Sequence, residues 1–452
     1  MTCHQRDRSF SFADQLRIFE RRTIISPFDS LGLRPQLLRA VAELGFTEPT
    51  PVQTASIPPA LSGRDLLASA ATGSGKSAAF GLPLVQMLMD LPRGTTRALI
   101  LAPTRELAAQ ITAHLTAFAK HTTVKVAAVY GGVGFGQQAS AFKRGTDIIV
   151  ATPGRLLDHL AQKTASLDNI SFLVIDEADR MLDMGFLPTV RRILRVLPTK
   201  RQTLFFSATI PPEIAALSKD MLQNPHRVDL APAKGPAVGI TQTVYTVGQM
   251  QKNDMLLELL KDNNIFSAIV FTRTKARANR LAAHLLKHDV EADRIHGDRS
   301  QAQRTRALQD FKRGKFRVLV ATDIAARGID IAELGHVINF DVPMVPEDYV
   351  HRVGRTARAS ATGDAITFVA ADEEKYFAQI EKVLGKRLDR AKTPDLPPVA
   401  QNPVRYTDDV PGAQRPRSPR PPRNAHAPAA AASSSPRREF RSLPPSKSGR
   451  PR

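Results

Sequence analysis

A glycine-rich stretch between an apolar run and a helix-like run has the composition of a phosphate-binding loop. Its residues are Ala70, Ala71, Thr72, Gly73, Ser74, Gly75, Lys76 and Ser77. Backbone N–H groups of such a loop surround phosphate oxygens where a helix begins. Lys76 is therefore predicted to bind the β- and γ-phosphates of a nucleotide, and Ser77 to offer its hydroxyl to Mg²⁺. Because Ala70 replaces the first consensus glycine, a glycine-rich turn without a ligand is the alternative.

Two adjacent carboxylates follow another apolar run about one hundred residues later. They are Asp176 and Glu177, followed by Ala178 and Asp179. Side chains at the C-terminal ends of strands in α/β sheets face the crevice where ligands bind. Asp176 is predicted to bind Mg²⁺ through water, and Glu177 to act as the base for, or to orient, an attacking water. An acid-rich helix N-terminus is the alternative, which the phosphate-binding loop disfavours.

Short apolar runs alternate with polar turns and helix-like stretches in two parts of the chain. In the first part, residues 27–229, they lie at 65–68, 98–102, 126–130, 148–151, 172–175 and 204–206. In the second part, residues 241–390, they lie at 268–271, 318–321, 337–340 and 366–369. Continuous apolar runs of this length are typical of parallel strands buried on both faces. Their alternation with helices predicts an α/β fold with a doubly wound parallel sheet in each domain.

Three segments lie outside these two domains. Residues 230–240 contain two prolines and two glycines and are predicted to be an interdomain linker. Residues 1–26, which include the only cysteine, Cys3, are expected to be a mobile extension of unassigned role. Residues 391–452 are predicted to be a disordered basic tail. Within it, residues 411–452 carry ten Arg or Lys, one acidic residue and ten prolines, too little apolar surface to offset ordering entropy.

The composition favours a polyanionic partner. The 452-residue chain has a formal net charge of +20, which is typical of nucleic-acid binding, although a basic surface that only aids solubility is the alternative. A single cysteine excludes internal disulfides and cysteine-rich zinc sites. No apolar run approaches the roughly 18 residues that cross a bilayer, and no secretory signal is evident, so a cytoplasmic location without a membrane partner is expected.

The Asp176-Glu177-Ala178-Asp179 sequence is the motif that names the DEAD-box RNA helicases, and other segments resemble that family in its order. They are 45–53 with Phe28 upstream, 103–108, 131–132, 152–155 and 207–209 in the first domain, and 270–274, Gln301 with Arg304, 321–330 and 351–358 in the second. The resemblance covers residues 27–388 and is greatest to the bacterial RhlE-type branch. It implies two tandem RecA-like domains, ATP and Mg²⁺ as cofactors, and RNA as the partner.

The resemblance also implies how the nucleotide is read. The Gln53 amide can donate and accept at once, so it suits the adenine edge, and Phe46 can pack on the purine. Core packing is the alternative for Phe28 and Phe46. The implied nucleotide-binding residues are Phe28, Phe46, Gln53, the loop from Ala70 to Ser77, and Asp330 at the ribose.

Two arginines of the second domain resemble the arginine fingers of the family. Arg355 and Arg358 lie three residues apart, so they share one face if the stretch is helical. They are expected to neutralise charge on the γ-phosphate, which requires the two domains to close. The implied catalytic residues are Lys76, Asp176, Glu177, Arg355 and Arg358, and the implied coupling residues are Asp179, Ser207, Thr209 and His351. Ala357 and Ser360 replace common glycines, and Ala357 is expected to affect the rate rather than the activity.

The implied RNA contacts are sequence-tolerant. They are Arg105, Gly132, Thr152, Gly154, Arg155, Arg273 and Thr322, which are cationic, hydroxyl or backbone donors suited to phosphate and 2′-OH groups. With no tryptophan and 6% aromatic residues, base stacking is not expected to dominate.

The function implied by the resemblance is RNA-stimulated ATP hydrolysis coupled to local, non-processive unwinding of short duplexes or remodelling of RNA–protein complexes. An ATP-gated RNA clamp and a DNA helicase are the alternatives. The tail either tethers RNA or acts as a solubilising spacer, and a ribosomal precursor or an RNA-decay assembly is a possible partner.

Overall fold

Two parallel sheets of seven strands each organise the chain. The computed structural model describes residues 27–71, 73–230, 239–262, 264–326, 334–356 and 363–397. The strand orders are β3-β4-β2-β5-β6-β1-β7 and β10-β11-β9-β12-β13-β8-β14. The first sheet contains β1 (Leu66–Ala70), β2 (Ala98–Leu101), β3 (Val126–Val129), β4 (Ile148–Ala151), β5 (Phe172–Ile175), β6 (Gln202–Ser207) and β7 (His226–Leu230). The second contains β8 (Ile240–Thr246), β9 (Ala268–Phe271), β10 (Ala292–Ile295), β11 (Val318–Ala321), β12 (His336–Asn339), β13 (Gly363–Val369) and β14 (Arg390–Ala391).

Helices connect the strands. A 3₁₀ helix, Pro27–Leu31, precedes α1 (Pro35–Glu43), α2 (Pro51–Leu61), α3 (Lys76–Met89), α4 (Arg105–Phe118), α5 (Phe135–Lys143), α6 (Pro153–Ala161), α7 (Ala178–Asp183), α8 (Leu187–Leu194) and α9 (Pro212–Met221). The second half contains α10 (Lys252–Leu259), α11 (Lys275–Lys287), α12 (Gln301–Lys312), α13 (Asp323–Ala326), α14 (Pro346–Val353) and α15 (Glu374–Leu384). None of the helices in the described ranges is long and apolar enough to cross a membrane.

The central strands are buried on both faces because successive side chains point to opposite sides of a sheet. In β2, Ile100 belongs to the core beneath α1 to α4, whereas Leu99 and Leu101 belong to the core on the opposite face. The second sheet is covered in the same way by two further cores on either side of β9. The predicted doubly wound α/β architecture is therefore confirmed, and all ten predicted strands are present.

Four strands were not predicted, namely β7, β8, β10 and β14. Three of them, β7, β10 and β14, lie at sheet edges, and β8 is next to the edge. Edge strands are partly exposed and carry polar residues, so they lack a continuous apolar run. The sequence His226-Arg227-Val228-Asp229-Leu230 shows this, because only Val228 is buried.

The predicted linker and tail meet these edge strands. Leu230 ends β7 and Ile240 begins β8, and residues 231–238 lie outside the described ranges. β14 pairs with β8, and Leu396 packs against the core of the second sheet, so ordered contacts extend beyond residue 390. The predicted extension at 1–26 and the tail from 398 onwards lie outside the described residues.

Two helices that carry site residues begin at side-chain caps. In α4, Thr104 Oγ1 accepts a hydrogen bond from Leu107 N at 3.2 Å. At the start of α12, Ser300 and Gln303 cap each other in a reciprocal box. Such caps satisfy backbone N–H groups of the first turn and fix where a helix starts. They place Glu106 and Gln301 in the first turns of their helices.

Candidate nucleotide and RNA site at the facing edges of the two sheets

The phosphate-binding loop joins the end of β1 to the start of α3. Gly73 and Gly75 have φ values of 85° and 93°, in the left-handed region that favours glycine. A Cβ on Gly75 would lie 2.5 Å from Gln53 Nε2 and 2.9 Å from Thr50 Oγ1. Gly75 is therefore required by both conformation and close approach. Thr72 lies outside the described residues, and Ser74 Oγ donates to Ala71 O at 2.8 Å, which closes the turn.

Lys76 occupies the interior of this loop. Its side chain is buried, and Nζ donates to Ala70 O at 2.9 Å. The Ser77 hydroxyl belongs to a half-buried residue that lines the same pocket as Lys76. The loop thus brings an ammonium group and a hydroxyl to one cavity, as the spacing predicted.

The acidic pair lines the same pocket. Asp176 and Glu177 follow β5, are almost fully buried, and line the cavity with Lys76. Glu177 has a φ of 53°, an unusual backbone conformation for a residue with a side chain. Glu177 Oε2 accepts a hydrogen bond from Arg180 Nη1 at 2.7 Å, and this ion pair is buried.

The two carboxylates differ in their protonation behaviour. Burial raises the pKa of Asp176 to about 7 against the opposing charge of Lys76. Burial also acts to raise the pKa of Glu177, but the charges of Arg180, Lys76 and Arg355 together lower it. The pocket therefore holds one ionised carboxylate and one whose charge is not compensated by the protein alone.

Gln53 and Phe46, which are predicted to contact the base, also line the pocket. Gln53 Oε1 accepts from Thr50 N at 3.0 Å, and Gln53 Nε2 donates to Gly75 O at 3.2 Å. Phe46 lines the pocket, with its ring 6.5 Å from that of Phe28. Phe28 itself is fully buried in the core. The structure thus favours core packing for Phe28, whose ring lies behind Phe46.

A face of α4 that was not predicted as part of the site completes the pocket. Leu107, Gln110, His114 and Phe118 line it. Their spacing of three, four and four residues places them on one helix face. The spacing was visible in the sequence, but assigning that face to the nucleotide pocket requires the packing of α4 against α3.

The predicted coupling residues are brought together beside the acidic pair. Asp179 Oδ2 accepts hydrogen bonds from Ala208 N at 3.1 Å and from Thr209 N at 2.8 Å. It also accepts one from Thr209 Oγ1 at 3.0 Å. Ser207 Oγ accepts from Asp179 N at 3.1 Å and donates to Thr209 O at 2.7 Å. The end of β6 is therefore tied directly to the acidic motif.

The second sheet contributes cationic and histidine side chains to the same region. Arg355 is buried and lines a cleft with His351 and Arg352. Helix α14 ends at Val353, so Arg355 lies beyond the helix, and the conditional prediction of a shared helical face does not hold for it. Arg358 and Asp330 lie outside the described residues.

Arg352 was not predicted as a separate site residue, although it anchors this region. Its guanidinium binds Asp323 Oδ2 at 2.8 Å and Asn339 Oδ1 at 3.1 Å, and it lies over the Phe271 ring. These contacts hold α14 against the ends of β9 and β12, which positions Arg355.

His351 is surrounded by charges from both sheets. Its burial, together with the charges of Arg180 and Arg355, lowers its pKa to about 4, while Asp179 and Asp348 oppose the shift. Arg180 and Asp179 belong to the first domain, whereas Arg355 and Asp348 belong to the second. His351 is therefore neutral near pH 7 in this arrangement.

A second contact between the domains involves Glu106. Its Oε1 accepts from Gln301 Nε2 at 2.9 Å, and its Oε2 lies 2.9 Å from Arg304 Nη2. All three side chains are buried. The Gln301 and Arg304 pair thus binds the helix that begins with the predicted RNA contact Arg105.

Five predicted RNA contacts of the first domain lie near this junction. Arg105 packs so closely on Gly131 that a Cβ there would lie 2.9 Å from its Nη2, and Gly132 has a φ of 83°. Thr152 precedes α6, and Gly154 and Arg155 lie in its first turn. Gly154 is exposed, which suits close approach of a ligand backbone.

The two predicted RNA contacts of the second domain differ in the contacts that they make within the protein. Thr322 is half-buried at the end of β11, where its carbonyl accepts from Ala325 N and begins α13. The Arg273 guanidinium instead binds Glu373 Oε1 at 2.7 Å, and Glu373 also pairs with buried Lys252. Arg273 therefore has a role inside the second domain, because a buried carboxylate requires cationic partners, and its contact with RNA stays a prediction.

Comparisons with known proteins identify relatives of both domains. Residues 50–217 match the family model described as DEAD/DEAH box helicase, and residues 251–360 match the helicase conserved C-terminal domain. The chain is 43% identical over 377 residues to the ATP-dependent RNA helicase DbpA of Bacillus subtilis (strain 168), covering 83% of this chain and 78% of the relative. It is 43% identical over 369 residues to the DEAD-box ATP-dependent RNA helicase CshA of the same organism, covering 82% and 74%.

Solved structures with the same two-sheet arrangement include two with bound ligands. S. cerevisiae Dbp5 bound to RNA and ADP BeF3 is 31% identical, with a TM-score of 0.73 over 82% of this chain and 96% of that chain. Mss116p bound to ssRNA and AMP-PNP is 28% identical, with a TM-score of 0.72 over 80% of this chain and 78% of that chain.

Proposed function

Because this chain belongs to the DEAD-box family and is an ATP-dependent RNA helicase, we propose that its two RecA-like domains complete one hydrolytic pocket only when they close on each other. The observation that carries this proposal is electrostatic. The buried carboxylate of Glu177, in the first domain, has its pKa lowered in part by the charge of Arg355, in the second. The likeness to Dbp5 bound to RNA and ADP BeF3 supports the same closed arrangement.

Glu177 acts on the attacking water. Its lowered pKa makes it an ionised hydrogen-bond acceptor but a weak proton acceptor at neutral pH. One oxygen is held by Arg180, which fixes the carboxylate in place. Glu177 therefore orients the water that attacks the γ-phosphorus, and the water's proton leaves with the phosphate product. Lys76 and Arg355 neutralise charge on the phosphoryl oxygens.

The residues around Asp176 fit Mg²⁺. Asp176 is buried, and burial raises the pKa of its carboxyl to about 7, so a divalent cation bound beside it would favour the ionised form. The Ser77 hydroxyl lines the same pocket and supplies a second oxygen. When bound with the nucleotide, Mg²⁺ supplies charge neutralisation at the phosphates.

Gln53 links the base to the phosphate-binding loop. Among the contacts of the described residues, its amide uses one N–H for Gly75 and one oxygen lone pair for Thr50, and an amide has two of each. The second N–H and the second lone pair match the N7 and N6 groups of adenine. Selection of ATP over GTP follows from this match.

RNA and ATP bind cooperatively in this scheme, because both stabilise the closed arrangement. Asp179, Ser207 and Thr209 connect the acidic motif to the end of β6, and Glu106 connects the RNA-facing helix α4 to α12. The RNA contacts proposed for the closed state are Arg105, Gly132, Thr152, Gly154, Arg155 and Thr322. Release of phosphate reopens the domains and frees the strand.

Breaking the Glu106–Arg304 pair should weaken the stimulation of ATP hydrolysis by RNA. Arg304→Met leaves the buried Glu106 carboxylate without its ionic partner in the closed state, so kcat/KM for RNA-stimulated ATP hydrolysis is expected to fall about tenfold to a hundredfold. The measurement is the steady-state ATPase rate over an RNA titration. Arg306→Met is the matched control, because Arg306 lies on the same helix but is exposed. Equal rates for the two variants would contradict this role for the pair.

Closure is expected to weaken in acid through His351. Its pKa is about 4 in the closed arrangement and about 6.5 in a solvent-exposed one, so the open state binds a proton that closure expels between these values. The affinity for RNA in the presence of AMP-PNP is therefore fully present above pH 6.5 and declines as the pH falls toward 4. The measurement is that affinity as a function of pH. His351→Asn removes this titration, so an identical pH profile in the variant would exclude His351 as the cause.

The basic tail is proposed to tether RNA. Deleting residues 411–452 removes a net charge of +9, so RNA affinity at low salt is expected to fall about tenfold, with a shallower dependence on salt concentration. Binding is measured as a function of salt for the full chain, the deletion, and a full-length variant whose tail arginines are glutamines. If the glutamine variant binds RNA as tightly as the unmodified full chain, the tail acts as a spacer instead.

Four finer assignments are part of the proposal. These are placement in the RhlE-type branch, local unwinding of short duplexes, a cytoplasmic location, and action on a ribosomal precursor or an RNA-decay assembly. An ATP-gated clamp is the second candidate function, but the intact Lys76, Glu177 and Arg355 favour turnover. The deciding experiment compares the ATPase rate with structured RNA, with DNA and with neither. Activation by RNA alone supports the proposal, whereas equal activation by DNA excludes it.

A further inference from the structure

Gln138 and its neighbours form a partly buried cluster that includes Arg155, one of the predicted RNA contacts. The Gln138 cluster consists of Phe135, Gln138, Arg155 and His159, from helices α5 and α6. Gln138 is 5% exposed and His159 is fully buried. These side chains have no role in the proposed hydrolysis of ATP, so a different function must explain their arrangement.

The hydrogen bonds of Gln138 fix the orientation of its amide. Nε2 donates to the Tyr130 carbonyl at 2.9 Å, and that carbonyl can only accept. Oε1 must then be the atom near His159 Nε2, at 3.3 Å, and near Arg155 Nη1, at 3.5 Å. His159 therefore carries a proton on Nε2, and its Nδ1 lies 2.8 Å from Thr164 Oγ1, whose hydroxyl also donates to His159 O at 3.2 Å. Burial and the charge of Arg155 lower the pKa of His159, in keeping with a neutral ring.

Stacking of the Phe135 and His159 rings also supports the Arg155 side chain. The His159 ring lies parallel to Phe135, with the centroids 3.9 Å apart and an angle of 14° between planes. The Arg155 guanidinium carbon lies 5.7 Å from the centroid of the same Phe135 ring, within reach of a cation–π attraction. Phe135 is thus held by His159 and contacts Arg155.

Arg155 is also bound to the loop that follows Gly132. Its Nη1 donates to Val133 O at 3.2 Å, and its Nε lies 3.6 Å from Asp158. Both hydrogen bonds of the guanidinium are donated by Nη1, so among the described contacts Nη2 remains available to bind a phosphate oxygen. The cluster therefore connects α6 to the loop that packs on Arg105.

We propose that Gln138 is a positioning residue for RNA binding, which holds the Arg155 guanidinium against the 131–134 loop before RNA arrives. A long side chain that is ordered in advance loses less conformational freedom when it binds. The inference rests on the proposed RNA contact of Arg155 and assigns the residue that orients it. The partner is the phosphate backbone of the bound RNA strand.

The test measures KM for RNA and kcat for RNA-stimulated ATP hydrolysis in the full chain. Gln138→Met retains the length of the side chain but removes both its donor and its acceptor. The expected result is a rise in KM for RNA of about three- to tenfold with kcat unchanged. Gln137→Met is the matched control, because Gln137 is the adjacent, exposed residue of the same helix, and its KM should equal that of the wild type.

A double-variant cycle with Arg155→Ala separates positioning from general stability. If Gln138 acts through Arg155, adding Gln138→Met to Arg155→Ala changes KM no further. Multiplying effects of the two substitutions would overturn the inference and leave only a structural role for Gln138. An unchanged KM in Arg155→Ala alone would overturn the inference together with the proposed contact of Arg155, while RNA-stimulated hydrolysis would show that the helicase function stands.

Discussion

Glu177→Gln should lower the rate of ATP hydrolysis roughly a thousandfold, while RNA binding that depends on ATP persists. Glutamine has the size of glutamate and can still accept the hydrogen bond from Arg180. It lacks the negative charge that orients the water, and its N–H group repels a water hydrogen. The nucleotide phosphates still attract Arg355 across the cleft in this variant, so nucleotide and RNA are expected to select the closed arrangement.

The measurement combines single-turnover hydrolysis with RNA affinity in the presence of ATP. The substitution also leaves the buried Arg180 facing a neutral partner, so the melting temperature is recorded to show that the variant is folded. Glu213→Gln is the matched control, since Glu213 is an exposed acid in the first turn of α9. Undiminished hydrolysis in Glu177→Gln would remove this residue from the role proposed for it.

The phosphate-binding loop and the central strands could be predicted because their signals are local. The loop needs glycine at positions such as Gly75, where φ is positive and other side chains approach closely. The strand Phe172–Ile175 is apolar throughout because both of its faces are covered. In each case, one short segment contains the whole physical reason for its structure.

The edge strands could not be predicted for the converse reason. In β10, Asp293 and Arg294 are half-buried, and the strand is specified by pairing with β11 rather than by an apolar run of its own. The pairing partner lies more than twenty residues away in the sequence. A local pattern does not contain this information.

The residues that bind charged side chains also could not be predicted from the sequence. Arg273 has a residue type that suits RNA, but its guanidinium binds Glu373, one hundred positions further along. Conversely, Glu106 belongs to a segment that resembles an RNA-contacting motif, yet its carboxylate binds Gln301, which is 195 positions away. Residue type predicts which partners are chemically suitable, whereas the fold decides which of them is near.

Arg355→Lys should lower kcat by about a thousandfold and change the affinity for ATP little. Lysine retains the positive charge but loses the planar fork that can bind two phosphate oxygens at once. The loss therefore falls on the transition state, where the transferred phosphoryl group is closest to both domains. The measurement is kcat under saturating ATP and RNA, together with the dissociation constant of a fluorescent ATP analogue.

The geometry around Arg355 explains why the effect should be large although the charge is preserved. Arg355 is 5% exposed, and Arg352 anchors the preceding helix through Asp323, so the guanidinium is held where lysine would present a single flexible ammonium group. Arg387→Lys provides the control, because Arg387 is an exposed arginine of the same domain and should retain the wild-type rate. A rate for Arg355→Lys close to that of the control would mean that the second domain does not complete the pocket through Arg355. The two-domain mechanism would then require a different cation to quench the charge on the phosphate.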